Sequence, residues 1–138
     1  MKVYIGTREI EDKSFKCLKD ITLLQTIADD SECTNIILDG VLRKYTLSEI
    51  VNILNLAISK LRLNGELIIS DLDFDLVIFA HKKLANLPEL NKMVESIGGF
   101  KSFLTYELIG DMVKTNPRIS LTSVDINNIE FKLAFKRV

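Results

Sequence analysis

The sequence lacks most of the features that mark a specialised class of protein. It has no tryptophan, one histidine, two cysteines and two prolines in 138 residues, and its formal net charge is −1. Domains that bind nucleic acid carry a basic footprint, so we expect no nucleic-acid partner. No apolar run approaches the roughly 18 residues of a membrane span, so we expect no membrane partner either.

The two cysteines, Cys17 and Cys33, show no metal-ligand spacing. We therefore expect two free thiols in a reducing cytosol, and no metal site. The opening residues, MKVYIG, are too short and too mixed for a signal peptide. The sequence thus predicts a cytoplasmic protein with a single domain, residues 1–138, and it leaves a homo-oligomer open.

One stretch, residues 34–75, organises the chain. It opens with the apolar run Ile36-Ile37-Leu38, which stops at Asp39-Gly40, and it closes with Leu67-Ile68-Ile69 before an acidic run. Short apolar runs that end at turn residues are typical of strands buried on both faces. Between them, Thr46 stands three residues before Glu49, the spacing of a helix capping box.

The residues after this capping box predict an amphipathic helix of about four turns. Its apolar positions recur at three- and four-residue steps: Leu47, Ile50, Val51, Leu54, Ile58 and Leu61. Asn64-Gly65 follows, and we expect the glycine to provide the left-handed helix stop. A strand, a helix and a second strand in one span predict a parallel βαβ unit. Ligands bind beyond the carboxyl ends of such strands, where Asp39 and Asp71 lie.

The segment VLRKYTLSEIVNILNLAISKLRLNGELIISDLD, which begins at Val41, resembles the second half of a class I S-adenosylmethionine-dependent methyltransferase. The resemblance is to the small members found among sugar and cell-surface biosynthesis enzymes. Val41-Leu42 and Tyr45 match the start of the family pattern, and Leu63-Asn64-Gly65 stands for its glycine turn. Asp73 stands for the acid after the following strand, whereas Arg43-Lys44 replaces an acid and a histidine.

The same resemblance extends to the N-terminus, where the family has a strand followed by a glycine-rich loop at the cofactor's methionine end. Val3-Tyr4-Ile5 runs into Gly6, but Thr7-Arg8 stands where a second glycine is expected. Glycine at such a position leaves room for a ligand to approach the backbone. Asp20, near the end of the strand-like segment Phe15–Ile21, holds the place of the acid that binds the ribose hydroxyls; an ordinary loop residue is the alternative.

The resemblance therefore implies S-adenosylmethionine as the cofactor and a small molecule as the acceptor. The implied cofactor-binding residues are Gly6, Thr7, Asp20, Ile21, Asp30 and Asp39; no catalytic residue is implied. Asp30 belongs to Ala28-Asp29-Asp30-Ser31, which resembles a loop that flanks the adenine. A solvated acidic turn is the alternative interpretation of that segment.

The C-terminal third predicts helices and a hairpin. Asp73 caps a helix that contains His81, which we interpret as a surface or packing residue. Asn86-Leu87-Pro88 begins another helix that Gly98-Gly99 ends, and Thr105 caps a third.

Asn127-Asn128 tolerates the positive φ of a tight hairpin turn. After it, Ile129, Phe131, Leu133 and Phe135 alternate with polar residues. This pattern predicts an antiparallel strand at the end of the chain. We expect an α/β fold, a Rossmann-like three-layer sandwich whose mostly parallel sheet ends in an antiparallel C-terminal hairpin.

The sequence and its resemblance support two hypotheses about the function. In the first, the chain is a compact methyltransferase that acts on a small molecule such as a sugar or glycan precursor. In the second, it keeps the fold without the cofactor and serves as a binding or assembly partner. Another nucleotide-binding α/β protein would need a phosphate-binding loop, and the sequence has none.

Overall fold

The computed structural model describes residues 1–82 and 100–138, together with positions 88, 92 and 95; of residues 80–82 it describes the backbone only. The predicted helix between Asn86 and Gly98-Gly99 lies outside the described residues except at those isolated positions. The interpretation of the His81 side chain also lies outside them.

Eleven elements follow one another along the described chain. In order they are β1 (Lys2–Gly6), β2 (Phe15–Leu18), α1 (Thr22–Ile27), β3 (Cys33–Asp39), a 3₁₀ turn (Leu42–Lys44), α2 (Leu47–Lys60), β4 (Leu61–Leu72), α3 (Phe74–Lys82), α4 (Tyr106–Lys114), β5 (Ile119–Asn127) and β6 (Glu130–Arg137). Within residues 1–82 and 100–138, no helix is long and apolar enough to cross a membrane.

The six strands form one sheet in the order β2-β1-β3-β4-β6-β5. The pairs β1–β2, β1–β3 and β3–β4 are parallel, whereas β6 pairs with β4 and β5 in antiparallel fashion. The predicted mostly parallel sheet with an antiparallel C-terminal hairpin is confirmed. Apolar runs suit β3 and β4 because both are central strands.

The hairpin turn lies one residue later than predicted. Asn127 pairs with Glu130, so the two turn residues are Asn128 and Ile129. Asn128 has φ 57°, a conformation that asparagine tolerates better than most residues. The alternation along β6 is confirmed at Phe131, Leu133 and Phe135, which are at most 1% exposed.

Helix α2 has the predicted capping box. The Thr46 hydroxyl accepts a hydrogen bond from the Glu49 backbone N–H, and the Glu49 carboxylate accepts one from the Thr46 backbone N–H. Ile50, Leu54 and Ile58 are buried as expected.

Leu47 and Val51, two of the recurring apolar positions, lie outside the buried face, since they are 47% and 43% exposed. Ile53 and Ala57 take their place in the core. The buried face is therefore rotated toward these two positions.

The helix stop also differs from the prediction. Helix α2 ends at Lys60, and Leu61 is already extended and buried. The left-handed residue is Asn64, with φ 64°, not Gly65. Gly65 is required for a different reason: a Cβ there would lie 2.8 Å from the Arg62 carbonyl oxygen.

The core lies on one face of the sheet. Val3, Ile5, Ile36 and Leu38 alternate along β1 and β3, are at most 1% exposed, and pack in one cluster with buried residues of α1, α2 and α4. On the opposite face Ile37 and Ile68 are only half-buried.

The expected Rossmann-like α/β fold is confirmed; among the described residues, α1, α2 and α4 contribute helices to the hydrophobic cluster on the sheet. The β1–β2 connection, residues 7–14, contains only turns and bends, because eight residues are too few for a crossover helix. Helix α3 begins beyond the carboxyl edge, where the Asp73 N–H donates to the Ile129 carbonyl.

Candidate functional site

The carboxyl ends of three adjacent strands lie side by side. Gly6 of β1 pairs with Asp39 of β3, which pairs with Ser70 of β4. This is the edge of an open parallel sheet at which ligands bind. The register therefore brings Gly6 and Asp39, two of the residues implied by the resemblance, into direct contact.

Asp39 is the centre of a hydrogen-bond network at this edge. Its Oδ2 accepts a hydrogen bond from the Tyr4 hydroxyl at 2.7 Å, and its Oδ1 accepts one from the Ser70 hydroxyl at 2.9 Å. Burial and the hydrogen bond to Asp39 raise the pKa of Tyr4 to about 12. Tyr4 thus remains a proton donor to the carboxylate at physiological pH.

Gly6 is required by this network. A Cβ at position 6 would lie 2.6 Å from the Tyr4 hydroxyl oxygen and 2.8 Å from the Asp39 carbonyl oxygen. Any side chain would therefore displace Tyr4 or the backbone of β3. Packing within the protein explains this glycine without a ligand.

Arg8, which replaces the expected second glycine, spans the strand ends. Its Nε lies 3.5 Å from Asp39 Oδ2, and its Nη2 donates to Glu130 Oε1 at 2.9 Å. The charges of Asp39 and then Glu130 raise the pKa of Arg8. Its side chain is 62% exposed, and exposed ion pairs contribute only about 0–1 kcal/mol, so this contact can open at little cost.

A small cavity of about 50 Å³ lies beside Gly6. Four of the six implied cofactor residues line it: Gly6, Thr7, Ile21 and Asp39. The remaining lining residues are Ile5, Lys19, Gly40, Val41, Lys44 and Tyr45.

Asp20 lies next to this cavity but does not line it. Its Oδ1 accepts a hydrogen bond from the Thr22 backbone N–H at 2.9 Å, which holds the turn into α1. Burial and then the negative charge of Asp20 raise the pKa of Tyr45, a residue of the cavity wall. Asp20 therefore acts electrostatically on the cavity from its rim.

Asp30 lies at the opposite edge of the sheet. It precedes β3, and its Oδ1 accepts a hydrogen bond from the Lys60 ammonium at 3.0 Å. The Lys60 side chain is only 6% exposed, so Asp30 supplies the counter-charge for a buried cation. The structure does not bring Asp30 together with the other five residues.

A second cavity of about 50 Å³ adjoins the first and shares Thr7, Asp39 and Gly40 with it. Its distinctive residues are Arg43 and Asp71. The sequence placed Asp71 at a ligand-binding strand end, but neither residue was among the implied cofactor-binding residues. The Asp71 side chain is 1% exposed, and its Oδ1 lies 3.7 Å from the Arg43 guanidinium. Burial is the main cause that raises the pKa of Asp71.

The position of Asp71 at the end of a buried strand was the available sequence signal. Its alternation with Leu67 and Ile69 places it on the core face of β4, and this pattern could have identified it as a buried acid.

A larger cavity of about 310 Å³ opens on the half-exposed face, above Ile37 and Ile68, and reaches Arg8 and Asp39.

Known structures share this fold. A protein of Pyrococcus horikoshii (PH0226) superposes with a TM-score of 0.65 at 11% identity, over 90% of this chain and 59% of its own. A SAM-dependent methyltransferase of Archaeoglobus fulgidus superposes with a TM-score of 0.63 at 9% identity, over 98% of this chain and 75% of its own. Magnesium protoporphyrin IX methyltransferase of Synechocystis, solved with bound SAH, superposes with a TM-score of 0.59 at 15% identity, over 90% of this chain and 51% of its own.

The chain thus has the fold of solved S-adenosylmethionine-dependent methyltransferases such as the Archaeoglobus fulgidus and Synechocystis proteins. The chain spans 59% of the Pyrococcus horikoshii structure. The sequence matches no family model and no curated protein. The likeness is therefore one of fold, and the chemistry has to be argued from the site.

Proposed function

We propose that this chain binds S-adenosylmethionine beside Gly6 and transfers its methyl group to a small-molecule acceptor such as a sugar or glycan precursor. The observation that carries the proposal is the pair of adjoining cavities at the carboxyl edge. They share Thr7, Asp39 and Gly40, so a donor in one cavity and an acceptor in the other would meet at these residues. Methyl transfer depends mainly on such alignment, because the cofactor supplies an already activated methyl group.

The chemistry of the first cavity suits the cofactor. Ile21 and Val41 offer apolar surface for the adenine, and the Asp20 carboxylate at the rim suits ribose hydroxyls. The Asp39 carboxylate suits the amino group of the cofactor's methionine part. Lys19 and Lys44 suit the carboxylate of that same part.

The size of this cavity requires some rearrangement. Ligand pockets usually measure roughly 300–1,000 Å³, well above the 50 Å³ seen here. Lys19 and Lys44 are exposed and would move outward on binding. Asp30 is left out of the proposed site because it lies at the other edge.

Asp71 is the group best placed to receive a proton from an acceptor hydroxyl. It lines the second cavity, and burial raises the pKa of its carboxyl group above the usual range. A raised pKa makes a carboxylate a better general base near neutral pH. Asp39 and Arg43 line the same cavity, so both of their charges act on this proton transfer.

Titration calorimetry with S-adenosylmethionine and its demethylated product tests the binding step. The informative variant is Asp20→Asn, since asparagine keeps an oxygen for the Thr22 N–H while the charge is lost. Hydrogen bonds to a charged group contribute about 1.5–3 kcal/mol each, so affinity should fall about ten- to a hundred-fold. The matched control is Asp29→Asn, an exposed acid in the turn before β3, which should leave affinity unchanged.

The fold-only function is favoured by one observation, the Arg8 ion pairs with Asp39 and Glu130. If this guanidinium holds the edge closed, the wild type will not bind the cofactor and Arg8→Gly will recover affinity. If calorimetry detects no binding heat at millimolar cofactor for the wild type, Asp20→Asn or Arg8→Gly, the enzymatic proposal is wrong. The chain would then serve as a binding or assembly partner.

A further inference from the structure

Three phenylalanines form an aromatic cluster, one end of which lies next to Arg43, a residue that lines the second cavity. The rings of Phe74 and Phe103 stack, with centroids 4.1 Å apart and planes at 23°, and Phe100 lies 5.8 Å from Phe103. Phe103 is nevertheless 51% exposed. A large aromatic residue that is stacked on one side and open on the other presents a flat apolar surface to solvent.

The segment that carries Phe103 is fixed by hydrogen bonds to neighbouring elements. The Lys101 N–H donates to the Arg43 carbonyl at 2.8 Å, and the Ser102 hydroxyl donates to the Tyr45 carbonyl at 2.8 Å. The Leu104 carbonyl accepts a hydrogen bond from the Phe74 N–H at 2.7 Å. The exposed ring is therefore held in place before any ligand arrives, which lowers the entropic cost of binding to it.

Polar groups lie at the Phe100 end of this aromatic cluster. The Arg43 guanidinium is 5.7 Å from the Phe100 ring centroid and 3.7 Å from the Asp71 carboxylate. An apolar ring face beside a carboxylate and a guanidinium matches the chemistry of a sugar. A pyranose has an apolar C–H face that stacks on an aromatic ring and hydroxyls that both donate and accept hydrogen bonds.

We propose that Phe103 is the stacking surface for a sugar ring of the acceptor, whose hydroxyls reach Arg43 and Asp71 in the adjoining cavity. This inference rests on the proposed function, because it specifies the acceptor of the same site. A sugar ring fits better than a plain aromatic ring, because only the sugar has hydroxyls that can form further hydrogen bonds with the paired guanidinium and carboxylate.

The absence of tryptophan from the chain allows a direct test. Phe103→Trp places a single indole at the proposed surface, and its fluorescence reports any ring that stacks on it. The probes are methyl glucopyranoside, methyl galactopyranoside and methyl mannopyranoside, with adenosine as an aromatic alternative. The matched control is Leu63→Trp, which places the indole at a residue 65% exposed near the amino end of β4.

We expect a saturable fluorescence change with at least one of the three glycosides at millimolar concentration in Phe103→Trp and none in Leu63→Trp. Asp71→Asn added to Phe103→Trp should weaken this binding at least threefold. Equal changes in both tryptophan variants, a response to adenosine alone, or no response to any glycoside would overturn the proposal. If the tryptophan variant does not fold, saturation-transfer NMR of the same glycosides tests the proposal instead. A signal with wild type that is lost in Phe103→Leu would support it, and equal or absent signals would overturn it.

Calorimetry with S-adenosylhomocysteine on Phe103→Trp separates this inference from the proposed function. Glycoside binding without cofactor binding would remove the methyltransferase activity and keep a sugar site. Cofactor binding without any glycoside response would keep the proposed function and remove Phe103 from it.

Discussion

The Tyr4–Asp39 hydrogen bond can be tested by replacing Tyr4 with phenylalanine. Tyr4 is 3% exposed, and its hydroxyl donates to Asp39 Oδ2 at 2.7 Å. A hydrogen bond to a charged group contributes about 1.5–3 kcal/mol, and the phenyl ring keeps its packing in the variant. We expect Tyr4→Phe to lower the free energy of unfolding by about that amount at neutral pH, because Asp39 loses one of its donors.

Burial of Tyr4, together with the same hydrogen bond, predicts a pH dependence with a definite sign. The pKa of Tyr4 is raised from 10.0 to about 12 in the folded protein. Between these values the unfolded chain loses the phenolic proton while the folded protein keeps it. The folded state then binds more protons, so the wild type loses roughly 2–3 kcal/mol of stability as pH rises through this range. Tyr4→Phe lacks this loss, so the two stabilities should converge near pH 12.

Urea unfolding of both proteins, at neutral pH and at several alkaline pH values, measures these differences. Tyr106→Phe is the control at neutral pH, because the hydroxyl of Tyr106 interacts with Glu107 rather than with the site. This control should lose clearly less stability than Tyr4→Phe. Equal losses in the two variants, or parallel alkaline curves for wild type and Tyr4→Phe, would refute the assigned hydrogen bond.

Four further variants test the fold that positions the site. Leu54→Ala should cost about 2–5 kcal/mol in urea melts because Leu54 is 2% exposed, whereas Val51→Ala on the exposed side of α2 should cost less than about 1 kcal/mol. Thr46→Ala should cost about 1 kcal/mol as a lost cap, and a cost equal to that of Leu54→Ala would mean that the buried face is misassigned. Asp73→Ala should cost at least about 2 kcal/mol in the same assay, because the buried Asp73 carboxylate accepts hydrogen bonds from the first turns of both α3 and α4. A loss of less than about 1 kcal/mol would show that neither helix depends on this carboxylate.

The strands and their order were the predictable part of this molecule. Runs such as Ile36–Leu38 and Leu67–Ile69 are apolar at every position, which only a strand covered on both sides or a buried helix requires. Their turn residues decided between these alternatives. The capping box at Thr46 was predictable for a similar reason, because both partners are three residues apart.

The features of the site that the sequence did not predict are contacts between residues that are distant in sequence. Arg8 lies 122 residues from Glu130, and no local pattern shows that the two side chains meet. Asp30 lies in a segment that resembles an adenine-binding loop, but its position is decided by the buried Lys60. The period of α2 alone does not specify which part of its apolar stripe faces the core, and Val51 is 43% exposed.

The central claim is that the cofactor binds at the carboxyl edge beside Gly6, and amide NMR of the labelled protein titrated with S-adenosylhomocysteine tests it most directly. We expect shifts at Gly6, Thr7, Ile21 and Gly40, which line the proposed cofactor cavity, and no shift at Glu32 on the opposite edge. A spectrum unchanged at millimolar ligand, or shifts confined to the amino edge, would contradict the claim.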